Sequence, residues 1–280
     1  MQNVLTAKGY ALKSIGNYCR EMRLIFAYFN DIDPKDLVHT DLINYFIFIK
    51  NEHGVGRDKC RLVAAACSFF YKHILRSEMV FASELYPRKV FKLPEILSQE
   101  QVLQLLAAIK NRKHKLMVGL FYGTGMRLSE LCNLRMSQID RKLMQIKICN
   151  GKGNKDRFTI LPKHILSEME DYYREYRPDT YLFEGQKKGL PLNDRSVQQA
   201  VNLSFKQAGM QEFGFSSHTL RHSFATHLLD QGVDIHTIKE LLGHAKIETT
   251  MIYLHLQQKK RSALCSPFDF LINEKQGQNG

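Results

Sequence analysis

The sequence predicts a mainly α-helical protein of two lobes, with one small antiparallel β-sheet in the second lobe. Apolar residues recur at helical spacing through most of the 280 residues, and alternation with a period of two is confined to a short stretch near residue 145. A basic segment with two prolines separates two stretches, each long enough to bury its own core. We therefore expect an N-terminal helical bundle and a C-terminal mixed helical domain, arranged as a two-domain clamp.

The first lobe is predicted to contain three longer helices. The first is amphipathic and about six turns long, with its apolar face formed by Ile15, Tyr18, Met22, Ile25, Phe26 and Phe29. Thr40 is expected to cap a second helix over residues 42–50, and a third is expected over about 58–76. Because no segment of this lobe alternates with a period of two, we predict a small helical bundle over residues 1–84.

A linker is predicted over residues 85–98. Pro87 and Pro94 stiffen it, and its basic side chains suit a strap along a phosphate backbone. Ser98 and Gln101 then form a capping-box pattern, which predicts the start of a helix. The second domain is therefore expected to span residues 99–280.

The second lobe is predicted to be mainly helical around a β-hairpin. Residues 143–149 alternate, residues 151–156 have turn composition, and residues 158–161 form the returning strand. A third short strand is expected near residues 181–183. Helices are expected at about 163–176, 194–208, 218–230, 235–242 and 248–256.

The charge balance favours a polyanionic partner. The chain has 40 Lys and Arg against 28 Asp and Glu, a net charge of +12, with +5 in residues 1–94 and +7 in residues 95–280. Two basic lobes suit nucleic acid, although a solubilising charge without a partner is the alternative. No apolar run approaches the ~20 residues of a membrane span, and the N-terminus lacks a signal-peptide core. The six cysteines contain no C-x-x-C pair. We therefore expect a cytoplasmic protein with reduced thiols and no membrane partner.

Several familiar sites are absent. Gly123 and Gly125 lack the third glycine of a dinucleotide fingerprint, and residues 151–156 do not match a Walker loop. His218 and His222 have the spacing of a metal pair on a helix, but Thr219 replaces the glutamate of the zinc-protease pattern. These observations argue against nucleotide and metal sites.

Two arginines and two histidines suit a phosphate group. Arg127 follows a glycine-containing turn, and Glu130, one helical turn later, could hold a guanidinium or a histidine. His218 and Arg221 share one face at the N-terminus of a helix, where the helix dipole favours an anion. His244 follows a helix end. Each has a structural alternative. Arg127 and Glu130 could form a surface ion pair, His218 and Arg221 could form a polar helix face, and His244 could cap the helix end.

A lysine and a tyrosine complete the candidate set. Lys152 lies in the hairpin turn and could reach a leaving group, although a solvated turn lysine is the default interpretation, and Lys155 lies in the same turn. Tyr253 lies on a short late helix, where packing is the usual role of a tyrosine. A phenol with an ordinary pKa near 10 becomes a useful nucleophile only when cations surround it.

The order of these residues resembles the tyrosine recombinase (phage-integrase-like) family. The matching stretches are Gly123–Leu131, Gly151–Lys155, His218–His227, Leu241–His244 and Tyr253–His255. They fill six positions in the order R, K, H-x-x-R, H, Y across the whole second lobe, and the first lobe looks like the family's helical, SAM-like core-binding domain. With no further domain before the first helix, the chain resembles the short Xer, integron and transposon recombinases.

The resemblance implies a site-specific recombinase. Tyr253 would form a 3′-phosphotyrosyl bond, Arg127 and Arg221 would hold the non-bridging oxygens, and Lys152 would protonate the 5′-oxygen. His244 would donate a hydrogen bond to the phosphate, and His218 would assist proton removal from Tyr253 or position it. The family needs no ATP, metal or other cofactor. It acts as a tetramer on two double-stranded DNA sites through a Holliday junction, and a helper protein is left open as a further partner.

Three alternatives remain at this point. A DNA-binding regulator would have the fold without the reaction. A type IB topoisomerase would use similar chemistry to relax DNA, and a metal hydrolase would use His218 and His222. Residues 269–272 would either dock on a neighbouring subunit, as in the family, or pack on their own lobe.

Overall fold

The computed structural model describes residues 1–77, 93–149 and 156–256. Its contacts divide the chain into two compact units, Met1–Phe91 and Lys92–Gly280. Both units are mainly helical and the second carries one small antiparallel sheet, which confirms the predicted fold class. The domain limits at 84 and 98 stay a prediction, because residues 78–92 lie outside the described ranges. Residues 269–272 also lie outside them.

The first unit is a helical bundle. Its helices are α1 (Gln2–Ala7), α2 (Leu12–Tyr28), α3 (His39–Asn51) and α4 (Arg57–Phe70), and α4 continues as a π-helical turn, Tyr71–Leu75. The buried face of α2 includes Ile15, Met22 and Ile25, which packs the helix against α4. At 17 residues, α2 is shorter than the predicted six turns. The reason is that the chain before it forms the separate helix α1.

The predicted cap at Thr40 is wrong. The helix α3 begins at His39, so Thr40 already lies inside its first turn. The backbone N–H of Val38 donates instead to the Asp41 carboxylate at 3.0 Å. A carboxylate reaching back from the first turn therefore satisfies the N-terminus, and it also complements the helix dipole.

The described part of the second unit contains eight α-helices and one three-stranded sheet. The helices are α5 (Gln99–Ala108), α6 (Arg112–Thr124), α7 (Leu128–Cys132), α8 (Lys163–Tyr176), α9 (Asp194–Gln207), α10 (Ser217–Asp230), α11 (Ile235–Leu242) and α12 (Glu248–Met251). A 3₁₀ turn, Ile252–His255, follows α12. The predicted capping box at α5 is confirmed, because Ser98 and Gln101 exchange two backbone-to-side-chain hydrogen bonds of 2.8 and 3.2 Å.

The sheet has the order β1-β2-β3 with antiparallel neighbours. Its strands are β1 (Ile139–Asp140), β2 (Gln145–Ile148) and β3 (Arg157–Ile160). The predicted third strand at 181–183 is wrong, since Tyr181 makes only an isolated bridge with Arg135. The third strand is β1, because the Asp140 carboxylate accepts hydrogen bonds from the backbone of Lys142 and Leu143 and so turns the chain directly into β2.

Helix α6 lies at the centre of the second unit. Five apolar side chains within six residues of this helix are buried: Leu116, Met117, Val118, Leu120 and Phe121. A helix that is apolar on most sides must be covered on most sides, and α8, α9 and α10 pack against it. One of these neighbours, α10, carries part of the site described below. Within the described ranges, no helix combines the length and the hydropathy that a membrane crossing requires.

Candidate active site

Five of the six predicted site residues lie in the described ranges, and four of these converge. Arg127 lies just before α7 and Arg221 in the second turn of α10, while His244 follows α11 and Tyr253 lies in the 3₁₀ turn after α12. Lys152 lies outside the described residues, as does Lys155. Its predicted role stays a prediction.

Arg127 is held by one carboxylate and one carbonyl group. Its Nη1 donates to Glu130 Oε1 at 2.7 Å, and its Nη2 donates to the carbonyl oxygen of Gly243 at 3.0 Å. The backbone N–H of Arg127 donates to Glu130 Oε2, also at 2.7 Å. Glu130 therefore fixes both the backbone and the guanidinium of Arg127, which confirms that this carboxylate holds a guanidinium.

Sequence reasoning missed a second guanidinium on the same carboxylate. Arg157, at the start of β3, donates through Nη1 and Nη2 to the two oxygens of Glu130 at 2.7 Å each, and through Nε to the carbonyl oxygen of Leu241 at 2.8 Å. Burial opposes ionisation of Glu130, but the hydrogen bond and charge of Arg157, together with Arg127, lower its pKa to about 2. A signal was present, because alternation along β3 places Arg157 on the same face as the buried Thr159.

Arg221 is almost fully buried, at 4% exposure. Its Nη1 donates to the carbonyl oxygen of Gly125 and its Nη2 to that of Leu242 at 2.6 Å. The same Nη2 lies 3.2 Å from His244 Nε2. Burial, and then the nearby Arg127, lower the pKa of Arg221 to about 9, so that it stays charged at neutral pH. Backbone dipoles thus hold a cation in a buried position, where it attracts an anion strongly.

His244 is neutral in this arrangement. Burial, and then the charges of Arg221 and Arg127, lower its pKa to about 3. Because Arg221 has only protons to donate, we assign His244 Nε2 as the acceptor and place the ring proton on Nδ1, which lies 3.0 Å from Thr250 Oγ1. Thr250 therefore fixes the tautomer and the orientation of the ring.

Tyr253 is buried, at 1% exposure, and its phenol contacts a histidine that the sequence reasoning had considered only as a metal ligand. The Tyr253 oxygen lies 3.0 Å from His222 Nδ1, and the Tyr253 ring stacks on His244 with 6.4 Å between centroids. Burial raises the pKa of Tyr253 to about 12, although Arg221 and Arg127 oppose the shift. The phenol is therefore protonated at neutral pH.

His218 lies on the exposed side of the first turn of α10. With His222 it lines a cavity of about 260 Å³. Partial desolvation and the charges of Arg221 and Arg127 lower its pKa. The contact with Tyr253 comes from His222, so the predicted action of His218 on Tyr253 stays a prediction. Across the described ranges, no three His, Cys, Asp or Glu side chains are grouped to hold a metal ion.

Gly125 ends α6 with φ +62, a conformation that L side chains adopt rarely. A Cβ at this position would lie 2.5 Å from Cδ1 of Phe224, and the Gly125 carbonyl accepts from Arg221. We expect Gly125→Ala to cost about 2–4 kcal/mol of unfolding free energy, from backbone strain and overpacking together. Urea denaturation measures this cost. Gly209→Ala is the matched control, because φ there is +72 but nothing lies within 4 Å of the added Cβ. An equal cost at both glycines would contradict the packing account.

The neutral histidines predict a loss of stability in weak acid. The pKa of His222 is lowered to about 4 and that of His244 to about 3 in the folded chain, against about 6.5 when unfolded. The unfolded chain therefore binds these protons more tightly. The stabilising contribution is complete above about pH 6.5 and is lost as the pH falls towards 3–4. We expect the unfolding free energy to drop from pH 7 to pH 5, less steeply in His244→Asn. His236→Asn, at an exposed position, is the control. If the unfolding free energy of His244→Asn falls with pH as steeply as that of the wild type and of this control, a neutral, buried His244 is contradicted.

The chain is similar to integrases and recombinases along most of its length. Residues 95–260 match the phage integrase family, and residues 1–80 match the phage integrase N-terminal SAM-like domain. A putative integrase/recombinase, y4qK of Sinorhizobium fredii, is 33% identical over 272 residues, covering 97% of this chain and 88% of the relative. The tyrosine recombinase XerC of Lactobacillus delbrueckii subsp. bulgaricus is 36% identical, covering 68% of this chain and 69% of the relative.

The fold is also shared with a solved structure of this group. A lambda integrase tetramer bound to a Holliday junction matches with a TM-score of 0.70 and 15% identity, covering 90% of this chain and 74% of the integrase chain. The family match covers more than half of the chain, and the site brings two arginines, two histidines and a tyrosine together. The chain therefore belongs to the phage integrase family of tyrosine-type site-specific recombinases.

Proposed function

We propose that this recombinase cuts each strand through attack of the Tyr253 phenol on the scissile phosphate. The attack forms a 3′-phosphotyrosyl bond and releases a free 5′-hydroxyl, which then attacks the corresponding bond of a second site. The observation that carries the proposal is a linked cluster: Arg221 contacts His244, His244 stacks on the Tyr253 ring, and the charges of Arg221 and Arg127 act on the phenol. Because the covalent bond keeps the energy of the phosphodiester, rejoining needs no nucleotide.

Arg127 and Arg221 are proposed to hold the two non-bridging oxygens of the phosphate. In the described part of the site, Arg127 and Arg157 bond the Glu130 carboxylate, whereas Arg221 is held by backbone carbonyl groups. Three guanidiniums therefore lie near one carboxylate, which leaves an excess of positive charge. Planar guanidiniums fit phosphate oxygens in two-point contacts. They also stabilise the additional charge of the five-coordinate transition state, and removal of one such donor typically costs ~10²–10³ in rate.

His244 is proposed to change its protonation when DNA binds. Its Nε2 accepts from Arg221 in the free protein, so it has no proton to offer at that atom. A bound phosphate would draw the Arg221 guanidinium towards itself and raise the pKa of His244, because a nearby anion favours the imidazolium. Nε2 would then carry a proton and donate to the phosphate. Lys152 is proposed to protonate the departing 5′-oxygen, and His218, on the exposed side of α10, is proposed to position Tyr253.

We also propose that the protein binds double-stranded DNA with both basic units and works as a tetramer on two sites. The support is the net charge of both halves of the sequence and the junction-bound tetramer of lambda integrase. Strands would be exchanged in pairs through a Holliday junction. Residues 269–272 are proposed to dock on the neighbouring subunit.

A selection followed by trapping tests the proposal. Duplexes that bind the protein are recovered from a random-sequence pool, and the recovered duplex is then nicked next to the cleavage position. The short 5′-hydroxyl fragment diffuses away after cleavage, so the adduct accumulates. We expect an SDS-resistant protein–DNA complex with the protein on a 3′ end. A protein that binds the duplex tightly but forms no adduct would be a DNA-binding regulator, and plasmid relaxation without recombination would indicate a topoisomerase.

A further inference from the structure

We propose that His222 is the group that accepts the phenolic proton of Tyr253 during DNA cleavage. This inference rests on the recombinase function proposed above and deepens it. The predicted role of His218 in removing that proton is thereby assigned to a different histidine, one turn later on the same helix.

The geometry singles out His222. Its Nδ1 lies 3.0 Å from the Tyr253 oxygen, within the distance at which a proton can pass directly, and the two rings lie 5.6 Å apart between centroids. Arg221 directly precedes His222 in α10, so this helix supplies a phosphate-binding cation and a base from adjacent positions.

The protonation state of His222 agrees with this role. A neutral imidazole that accepts the phenolic hydrogen bond at Nδ1 carries its own proton on Nε2. Burial, and then the charges of His218 and Arg221, keep the ring neutral in the free protein. When the scissile phosphate binds beside Arg221, its negative charge offsets this repulsion and increases the proton affinity of His222. The base is therefore strengthened when the substrate arrives.

The surroundings of His222 include an open cavity. His222 is half-buried, and a cavity of about 260 Å³ reaches it. The titratable and charged groups that face the ring from the packed elements are His218 and Arg221 of α10, Tyr253 of the 3₁₀ turn, His244 beyond it and Glu95 across the cavity.

The step balances without a co-reactant. The O–H bond of Tyr253 breaks as its oxygen forms the bond to phosphorus, and the proton moves to His222 Nδ1. The bond from phosphorus to the 5′-oxygen breaks, and that oxygen takes a proton from the proposed acid Lys152. During rejoining the 5′-hydroxyl attacks, and His222 returns its proton to the departing Tyr253 oxygen.

Two substitutions separate proton transfer from positioning. Asparagine places a carbonyl oxygen near the position of Nδ1, so His222→Asn keeps a hydrogen-bond acceptor that cannot act as a base at neutral pH. His222→Ala removes both functions and opens space beside the cavity. We expect both variants to form the adduct on the nicked duplex about 10²–10³-fold more slowly than wild type. We also expect added imidazole to accelerate His222→Ala at least about tenfold, because it supplies a diffusible base.

The chain contains a matched control. On the same helix, His227 Nδ1 lies 3.0 Å from the Tyr122 hydroxyl, so His227→Asn makes the same exchange in a second histidine–tyrosine pair. It should form the adduct within about threefold of the wild-type rate and show no response to imidazole. Thermal unfolding of every variant checks that the fold survives.

Each outcome bears on the proposal. If His222→Asn forms the adduct at the wild-type rate, the contact only positions the Tyr253 ring, and the inference is overturned. A His222→Ala variant that is as fast as wild type, or a slow one that is folded and unresponsive to imidazole, would overturn it as well. If His222→Ala does not fold, the rate of His222→Asn decides. A wild-type protein that forms no adduct at all would instead contradict the proposed function.

Discussion

Replacing Tyr253 with phenylalanine is expected to abolish the SDS-resistant DNA adduct while leaving DNA binding nearly unchanged. Phenylalanine keeps the buried ring, which packs on His244, but removes the oxygen that would form the bond to phosphorus. Without a covalent intermediate the reaction has no route to strand exchange, so we expect recombination to fall below detection. Electrophoresis of the trapped complex under denaturing conditions measures the adduct, and a native gel measures binding.

A second tyrosine provides the control for this substitution. Tyr122 makes the same kind of hydrogen bond to a histidine, at the same 3.0 Å, in a part of the second unit that no proposed step uses. Both substitutions leave a histidine nitrogen without its phenol, so each should cost about 1–2 kcal/mol of unfolding free energy. Only Tyr253→Phe should lose the adduct. An adduct that persists in Tyr253→Phe would place the nucleophile on another residue.

Replacing Arg157 with methionine is expected to cause the largest loss of stability among the site variants. Its side chain is 8% exposed, and it makes two of the hydrogen bonds of the buried Glu130 carboxylate. Removing one partner of a buried ion pair leaves the other charge poorly compensated, at a typical cost of about 3–5 kcal/mol. Because Glu130 also holds Arg127, we expect adduct formation to slow by about 10²-fold or more.

A double-mutant cycle distinguishes this account from simple loss of packing. If the cost of Arg157→Met comes from the uncompensated carboxylate, neutralising that carboxylate with Glu130→Gln should recover part of the stability. Urea denaturation of both single variants and the double variant gives the coupling. The exposed pair of Arg174 and Asp171 is the control, because Arg174→Met should change stability by less than about 1 kcal/mol. Additive effects in the buried pair would contradict the proposed coupling.

Most secondary-structure elements were predictable because their signals are local. The capping box of Ser98 and the apolar periodicity of α2 and α8 each lie within one helix. The errors came where two nearby side chains or two segments compete for the same partner. Thr40 has the right residue type for a cap, but Asp41 satisfies the helix start first. The strand beside β2 comes from β1 because a tight turn at Asp140 outcompetes the more distant residues 181–183.

The sequence by itself determined the family and the order of the chemical residues, because motifs such as Gly123–Leu131 and His218–His227 are short, contiguous and in register. The tertiary structure decided how those residues are held. Arg157 meets Glu130 across 27 positions, and His222 meets Tyr253 across 31. Neither contact follows from spacing along one helix or strand. Each exists because separate elements bring polar atoms together in a buried place, where a charge or a phenol must find a partner.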